Sequence, residues 1–149
     1  MNAGSAPPLD IAHLIQLAVG PVFLLSGIGV TLGVFTTRLA RIVDRARAAE
    51  QERESVQDPA RLARLTHRLQ VLGRRSRYIS SAITLATLSA LLVATTVVLL
   101  FANAILNLQL AIAIAVVFAA STISLTGALL VFLIEVRLAT VTLRIDSRV

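Results

Sequence analysis

Two long uncharged stretches dominate the pattern of polar and apolar positions. No Asp, Glu, Lys or Arg lies between Asp10 and Arg38, which leaves 27 uncharged residues, and none lies between Arg77 and Glu135, which leaves 57. A membrane-spanning helix needs about 20 consecutive apolar residues. The first stretch therefore has room for one span and the second for two. The amide side chains of the second stretch mark the point where it divides: Asn103, Asn107 and Gln109.

This pattern predicts an all-α integral membrane protein with three transmembrane helices and an antiparallel helical hairpin between the first and the second. Apolar residues make up 56% of the chain, and a soluble protein of 149 residues has no interior large enough to hide so many. The predicted segments are an N-terminal tail (1–10), transmembrane helix 1 (11–37), the hairpin (38–77), transmembrane helix 2 (78–103), a turn (104–109), transmembrane helix 3 (110–134) and an amphipathic tail (135–149).

The hairpin is predicted from a seam of residues spaced four and three apart, which is typical of paired helices. In the first arm the seam consists of Phe35, Leu39, Ile42, Ala46, Ala49, Arg53 and Val56, and in the second of Leu62, Leu65, Leu69 and Leu72. Asp58 and Pro59 lie between the arms, where Asp is a good N-cap and Pro fits the first helical position. The 18 residues from Arg38 to Ser55 would project about 27 Å beyond the membrane.

The placement of the basic residues predicts the orientation. All 14 are Arg, and residues 38–77 contain 11 of them, whereas residues 1–10 and 104–109 contain none. Cytoplasmic loops hold the positive excess, so the hairpin and the C-terminus are predicted to be cytoplasmic and the N-terminus extracytoplasmic. Arg residues beside spans are explained by orientation and by anionic lipid. Nucleic-acid binding, the usual inference from a pI near 11.6, is therefore not predicted.

Small residues on the first span predict close helix packing, because spans associate through small and polar side chains. Two nearly opposite faces carry them: Ser26, Gly29, Gly33 and Thr36 form one face, and Gly20 and Gly27 lie on the other. A helix with close-packing surfaces on both sides favours a homo-oligomer with this span near its centre. In such an assembly the same residues would line a pore.

A polar cluster precedes the first span, where Asp10, His13 and Gln16 follow one another at steps of three residues. One interpretation is an outer vestibule or a cation-attracting mouth. The alternative is that Asp10 is an N-cap and that the other two side chains lie at the membrane interface.

A charged cluster lies at the inner boundary of the spans. Arg38, Arg41 and Arg45 share one helical face, and Glu135 follows the third span. A bridge from Glu135 to Arg38 or to Arg41 is predicted to tie the third span to the first, and such a tie could also act in gating.

The sequence gives no sign of catalysis, and no enzymatic activity, metal site or cofactor is predicted. The chain has no Cys, and its two His residues, His13 and His67, fall on opposite sides of the predicted membrane. None of the motifs HExxH, GxSxG, P-loop or GxGxxG is present. The spans carry no charge in their middle, which argues against an ion-coupled transporter.

Two runs of sequence carry a resemblance to a known family. They are HLIQLAVGPVFLLSGIG at residues 13–29 and RLARIVDRAR at residues 38–47, and the likeness continues through Arg74-Arg75 and the region of Glu135. The chain resembles the bacterial membrane proteins grouped as domain of unknown function number 2721. The resemblance implies a bacterial inner-membrane protein, and it implies no activity, ligand or catalytic residue.

Two functions are compatible with these features. The first is a homo-oligomeric pore for ions or small solutes, lined by the Gly-rich first helix and having Arg residues at its inner mouth. The second is a membrane scaffold or biogenesis factor that docks a soluble partner through its cytoplasmic hairpin. The order of spans and hairpin in the second case is similar to the layout of the membrane insertase superfamily, although no span of this chain carries a charge.

Overall fold

The chain folds into three helices. The computed structural model describes residues 11–106 and 109–146, with the side chains of residues 12–106 and 109–137. The helices are α1 (Ile11–Ser55), α2 (Pro59–Leu106) and α3 (Ala111–Asp146), and the described residues contain no strand. Each helix contains a window that is long and apolar enough to cross a membrane. The predicted all-helical class is thereby confirmed, and so is the number of helices that are long and apolar enough to span a membrane.

The first two helices form an antiparallel hairpin that extends well beyond their apolar parts. Helix α1 continues without interruption through Pro21 and past Arg38. The chain turns at residues 56–58, where Asp58 Oδ1 accepts a hydrogen bond of 3.2 Å from the amide of Ala60. Asp58 therefore caps α2 and satisfies one of the amides that a helix leaves unpaired at its start.

The hairpin buries the residues that recur at steps of four and three. Among the seam positions, Phe35, Ile42 and Leu65 are buried, and most of the others are half-buried. The intervening positions of the first arm from Asp44 onward are exposed. One periodic stripe on each arm therefore makes the contact, as burial of an apolar stripe requires.

Helix α2 lies between α1 and α3 and packs along both. The core consists of Ile28, Phe35, Ala82, Ala86, Val93 and Ala128. Many of these side chains are small, which allows the helix backbones to approach closely. A methyl group added at Gly127 of α3 would lie 3.7 Å from Leu85 of α2, in ordinary contact.

Two hydrogen bonds join α2 to α3 inside this core. Ser89 Oγ donates to the carbonyl oxygen of Ser121 at 2.7 Å, and Ser124 Oγ donates to that of Leu85 at 2.8 Å. The hydroxyls of Thr84, Thr87 and Thr95 instead donate to carbonyls of their own helix. The two serines therefore connect different helices, and the threonines do not.

We expect replacement of both Ser89 and Ser124 by Ala to lower the free energy of unfolding by about 1 kcal/mol, because hydrogen bonds between spans contribute about 0.6 kcal/mol each on average. Titration with a denaturing detergent, followed by circular dichroism, measures the change. Thr95→Ala is the matched control, since it removes an exposed hydroxyl bonded within α2. An equal loss in the control would contradict the assignment of the two serines to helix–helix contact.

The connection between α2 and α3 begins later than the sequence predicted. Helix α2 continues to Leu106, whereas the predicted boundary was at residue 103. Asn103 Oδ1 accepts a hydrogen bond of 3.0 Å from the amide of Leu110, and so caps the start of α3 from within α2. The apolar residues that follow Asn103 continue the helix while its side chain crosses the turn. Asn107 lies outside the described residues.

Most of the spanning surface is uncovered in the single chain. Only 17%, 22% and 17% of the most apolar windows of α1, α2 and α3 are buried. Large side chains such as Phe23, Val30 and Ile112 are more than 70% exposed. Since an exposed apolar surface of this extent requires an apolar environment, the bilayer or further protein chains must cover it.

Candidate functional site

The charged side chains at one end of the spans converge on a single carboxylate. Arg38 is the first charge after the uncharged run of α1, and Glu135 is the first after that of α3. Arg75 lies on α2 shortly before its uncharged run begins. Because the three apolar runs end at the same boundary, the helices place these side chains together.

Glu135 is fully buried and accepts hydrogen bonds from two Arg residues. Arg38 Nη1 lies 2.8 Å from Glu135 Oε2, and Arg75 donates through Nη2 at 2.7 Å and through Nε at 3.1 Å to Oε1. The exposed fractions of the side chains are 0% for Glu135, 20% for Arg75 and 40% for Arg38. Both carboxylate oxygens are therefore paired, and one side chain of α3 is tied to α1 and to α2.

Two aromatic rings lie beside these ion pairs. Phe35 and Phe132 have ring centroids 4.6 Å apart, and the guanidinium carbon of Arg38 lies 5.1 Å from the centroid of Phe132. The ring of Phe132 thus adds a cation–π contact to the position of Arg38. Phe35 and Phe132 also bring α1 and α3 into direct contact.

Arg38, Glu135 and Arg75 form an ion-pair network that joins all three helices, and we refer to it as the Arg–Glu–Arg tie. Removing charges from water is costly, so a buried carboxylate is stable only when its partners satisfy it fully. Here three donor nitrogens do so. The tie therefore fixes the relative positions of the three spans at this boundary, and it holds two guanidinium groups in defined places.

A cleft of about 140 Å³ opens beside the tie. Its lining consists of Arg38, Arg41, Ile42, Arg45, Arg75 and Glu135, and we refer to it as the boundary cleft. Four guanidinium groups against one carboxylate give the lining a formal charge of +3. The cleft is therefore suited to an anion.

The structure brings the predicted inner cluster together and adds a second Arg partner for Glu135. The ion pair from Glu135 to Arg38 is present. The alternative partner Arg41 makes no ion pair with Glu135, and Arg75 takes that place. The sequence pattern does not predict a role for Arg75, which was named only as part of the family resemblance. The seam identifies the face of α2 that packs on α1 and does not identify the face that packs on α3.

The predicted outer cluster lies only partly within the described residues. Asp10 lies outside them, and His13 and Gln16 are exposed. Neither side chain makes a hydrogen bond to the described part of the chain.

The predicted packing faces of α1 are uncovered. Ser26, Gly29, Gly33, Thr36, Gly20 and Gly27 are all exposed in the single chain. A Cβ atom added at any of these four glycines would meet nothing within 4 Å. The hydroxyls of Ser26 and Thr36 donate to carbonyls of α1 itself. The single chain therefore makes no use of these surfaces for packing.

Comparison with known proteins identifies the family of the chain. The model of a family described as a protein of unknown function, DUF2721, matches residues 18–145. No curated protein and no solved structure matches the chain.

Proposed function

The chain belongs to the DUF2721 family of proteins of unknown function, and we propose that this member is a homo-oligomeric membrane protein whose first helix lines a passage for ions or small solutes. The proposal places it in a bacterial inner membrane, with the hairpin of α1 and α2 in the cytoplasm. The 11 Arg residues of segment 38–77 support this orientation, because positive charge is retained on the cytoplasmic side.

The observation that carries the proposal is the uncovered glycine surface of α1. Gly29 and Gly33 are one turn apart and exposed, and the space beyond their Cα atoms is open. Spans associate by bringing backbones together at such small residues. A second copy of the chain is the simplest partner that could fill this space, since every copy carries the same face.

A passage would have to lie between copies. The core shared by the three helices is apolar, and a groove of about 290 Å³ between α1 and α2 is lined only by apolar side chains, among them Val22, Phe23 and Phe101. The hydroxyls of Thr36 and Thr37 flank the face of Gly29 and Gly33 on α1 and could face a central channel, although each is also bonded to its own helix.

A scaffold that docks a soluble partner is the second candidate. The observation in its favour is the length of the hairpin, since α1 and α2 continue for about 27 Å past their apolar runs as paired helices. The outer surface of this hairpin is exposed and charged. In this case the hairpin, and not an assembly of α1 helices, would carry the function.

The mass of the purified particle separates the two candidates. We expect light scattering, corrected for bound detergent, to give a single species of at least four subunits of 15.9 kDa each. Flux of ions into liposomes that contain the particle would then test conduction. A monomer or a dimer leaves no room for a central passage and would favour the scaffold.

A further inference from the structure

We propose that the boundary cleft binds the phosphate group of an anionic phospholipid. This inference concerns the single chain and does not rest on the proposed pore. It starts from the charge of the cleft, whose lining carries an excess of three positive charges. Arg41 and Arg45 are exposed, and neither has an ion-pair partner among the described residues. Two guanidinium groups of the cleft are therefore available to an external anion.

The other two guanidinium groups are already positioned. Glu135 holds Arg38 through one nitrogen and Arg75 through two, and a guanidinium has five N–H donors in a fixed plane. Arg38 therefore keeps donors that Glu135 does not use. Because the side chains are held in place before the ligand arrives, little conformational freedom is lost on binding. Planar guanidinium groups also match the geometry of phosphate oxygens.

The size and the position of the cleft favour a lipid phosphate. A volume of about 140 Å³ is several times the roughly 10–15 Å³ that one water molecule needs on the same measure, so the cleft admits a phosphate group. It lies where the apolar runs of α1 and α3 end, which is the depth of the lipid headgroups. Exposed apolar side chains lie within one turn of the cleft residues, namely Val34, Leu133 and Ile134. Acyl chains of the same lipid can cover them.

The test counts lipids bound to the protein by native mass spectrometry, with phosphatidylglycerol and phosphatidylcholine as probes. The variant R41Q/R45Q removes the two unpaired cleft residues and leaves the Arg–Glu–Arg tie intact. We expect its affinity for phosphatidylglycerol to fall at least about tenfold, because each removed guanidinium takes with it charge-assisted hydrogen bonds to the phosphate. The matched control is R47Q/R53Q, which removes two exposed Arg residues of the same arm that do not line the cleft.

The outcomes separate the alternatives. Loss of phosphatidylglycerol binding in R41Q/R45Q, with retention in R47Q/R53Q, supports the site. An equal loss in both variants would show attraction to the whole basic surface, and no loss in either would show that the cleft is not occupied; both results overturn the proposal. Competition by inorganic phosphate at equal concentration would assign the cleft to a free anion and overturn the lipid as its source. The mass of the particle tests the proposed function separately.

Discussion

Replacement of Glu135 by Ala is expected to lower the free energy of unfolding by about 3 kcal/mol. Breaking a buried ion pair by removing one partner costs about 3–5 kcal/mol, because the remaining charge stays buried without compensation. Glu135 is fully buried, while Arg38 and Arg75 retain 40% and 20% exposure. Their guanidinium groups remain partly hydrated after the substitution, so we expect the lower end of this range. Unfolding in a denaturing detergent, followed by circular dichroism, provides the measurement.

Two further variants separate the effect of unpaired charge on stability from the effect of lost packing. Glu50→Ala removes an exposed acid of the hairpin and should change stability by less than about 0.5 kcal/mol. Replacement of Glu135, Arg38 and Arg75 together by Met removes every charge of the tie and keeps apolar volume, so it should recover most of the loss. A triple variant as unstable as Glu135→Ala would show that the penalty comes from packing around Phe132 and not from unpaired Arg residues.

The arrangement of helices within the chain follows from features that are local in sequence. The uncharged runs specify three spans because charge is excluded from the bilayer core. The steps of four and three from Phe35 to Leu72 specify the hairpin, since they allow one buried stripe on each arm. Asp58 and Pro59 specify where the turn ends, because capping requirements act over a few residues only. The observed helices α1 and α2 reflect all three signals.

The contacts of α3 could not be predicted from local sequence patterns in the same way. Hydrophobicity is nearly even around the third span, so it does not identify the face that packs against α2. The small residues of this span do indicate a packing face, namely Ala120, Ser124, Gly127 and Ala128, and Ser124 and Ala128 lie in contact with α2 or in the core. The partners Ser89 and Ser121, and the pairing of Arg75 with Glu135, depend on that face. Sequence reasoning therefore located Glu135 and Arg38 at a common boundary and could not determine which Arg of α2 completes the site. The central position of α2 is a consequence of the same tertiary packing.

Replacement of both Gly29 and Gly33 by Leu is expected to convert the proposed oligomer to single chains while leaving the fold of each chain intact. Both glycines are exposed, and a Cβ atom added at either position meets no atom within 4 Å in the single chain. Replacing Gly by Leu also favours the helical conformation by about 1 kcal/mol at each position. Neither substitution should therefore destabilise helix α1 itself. In an assembly that brings backbones together at these glycines, by contrast, the added side chains would prevent the close approach.

The measurement is the detergent-corrected particle mass, accompanied by circular dichroism to verify that the variant chain remains helical. The matched control replaces Ala115 and Ala119 of α3 by Leu, since these small residues are also four positions apart and exposed. We expect the control to keep the mass of the unmodified protein. If the control dissociates and the glycine variant does not, the assembly forms through α3 and α1 cannot line its centre. If both keep their mass, neither of these faces of the single chain is the contact, and the proposed passage along α1 must be abandoned.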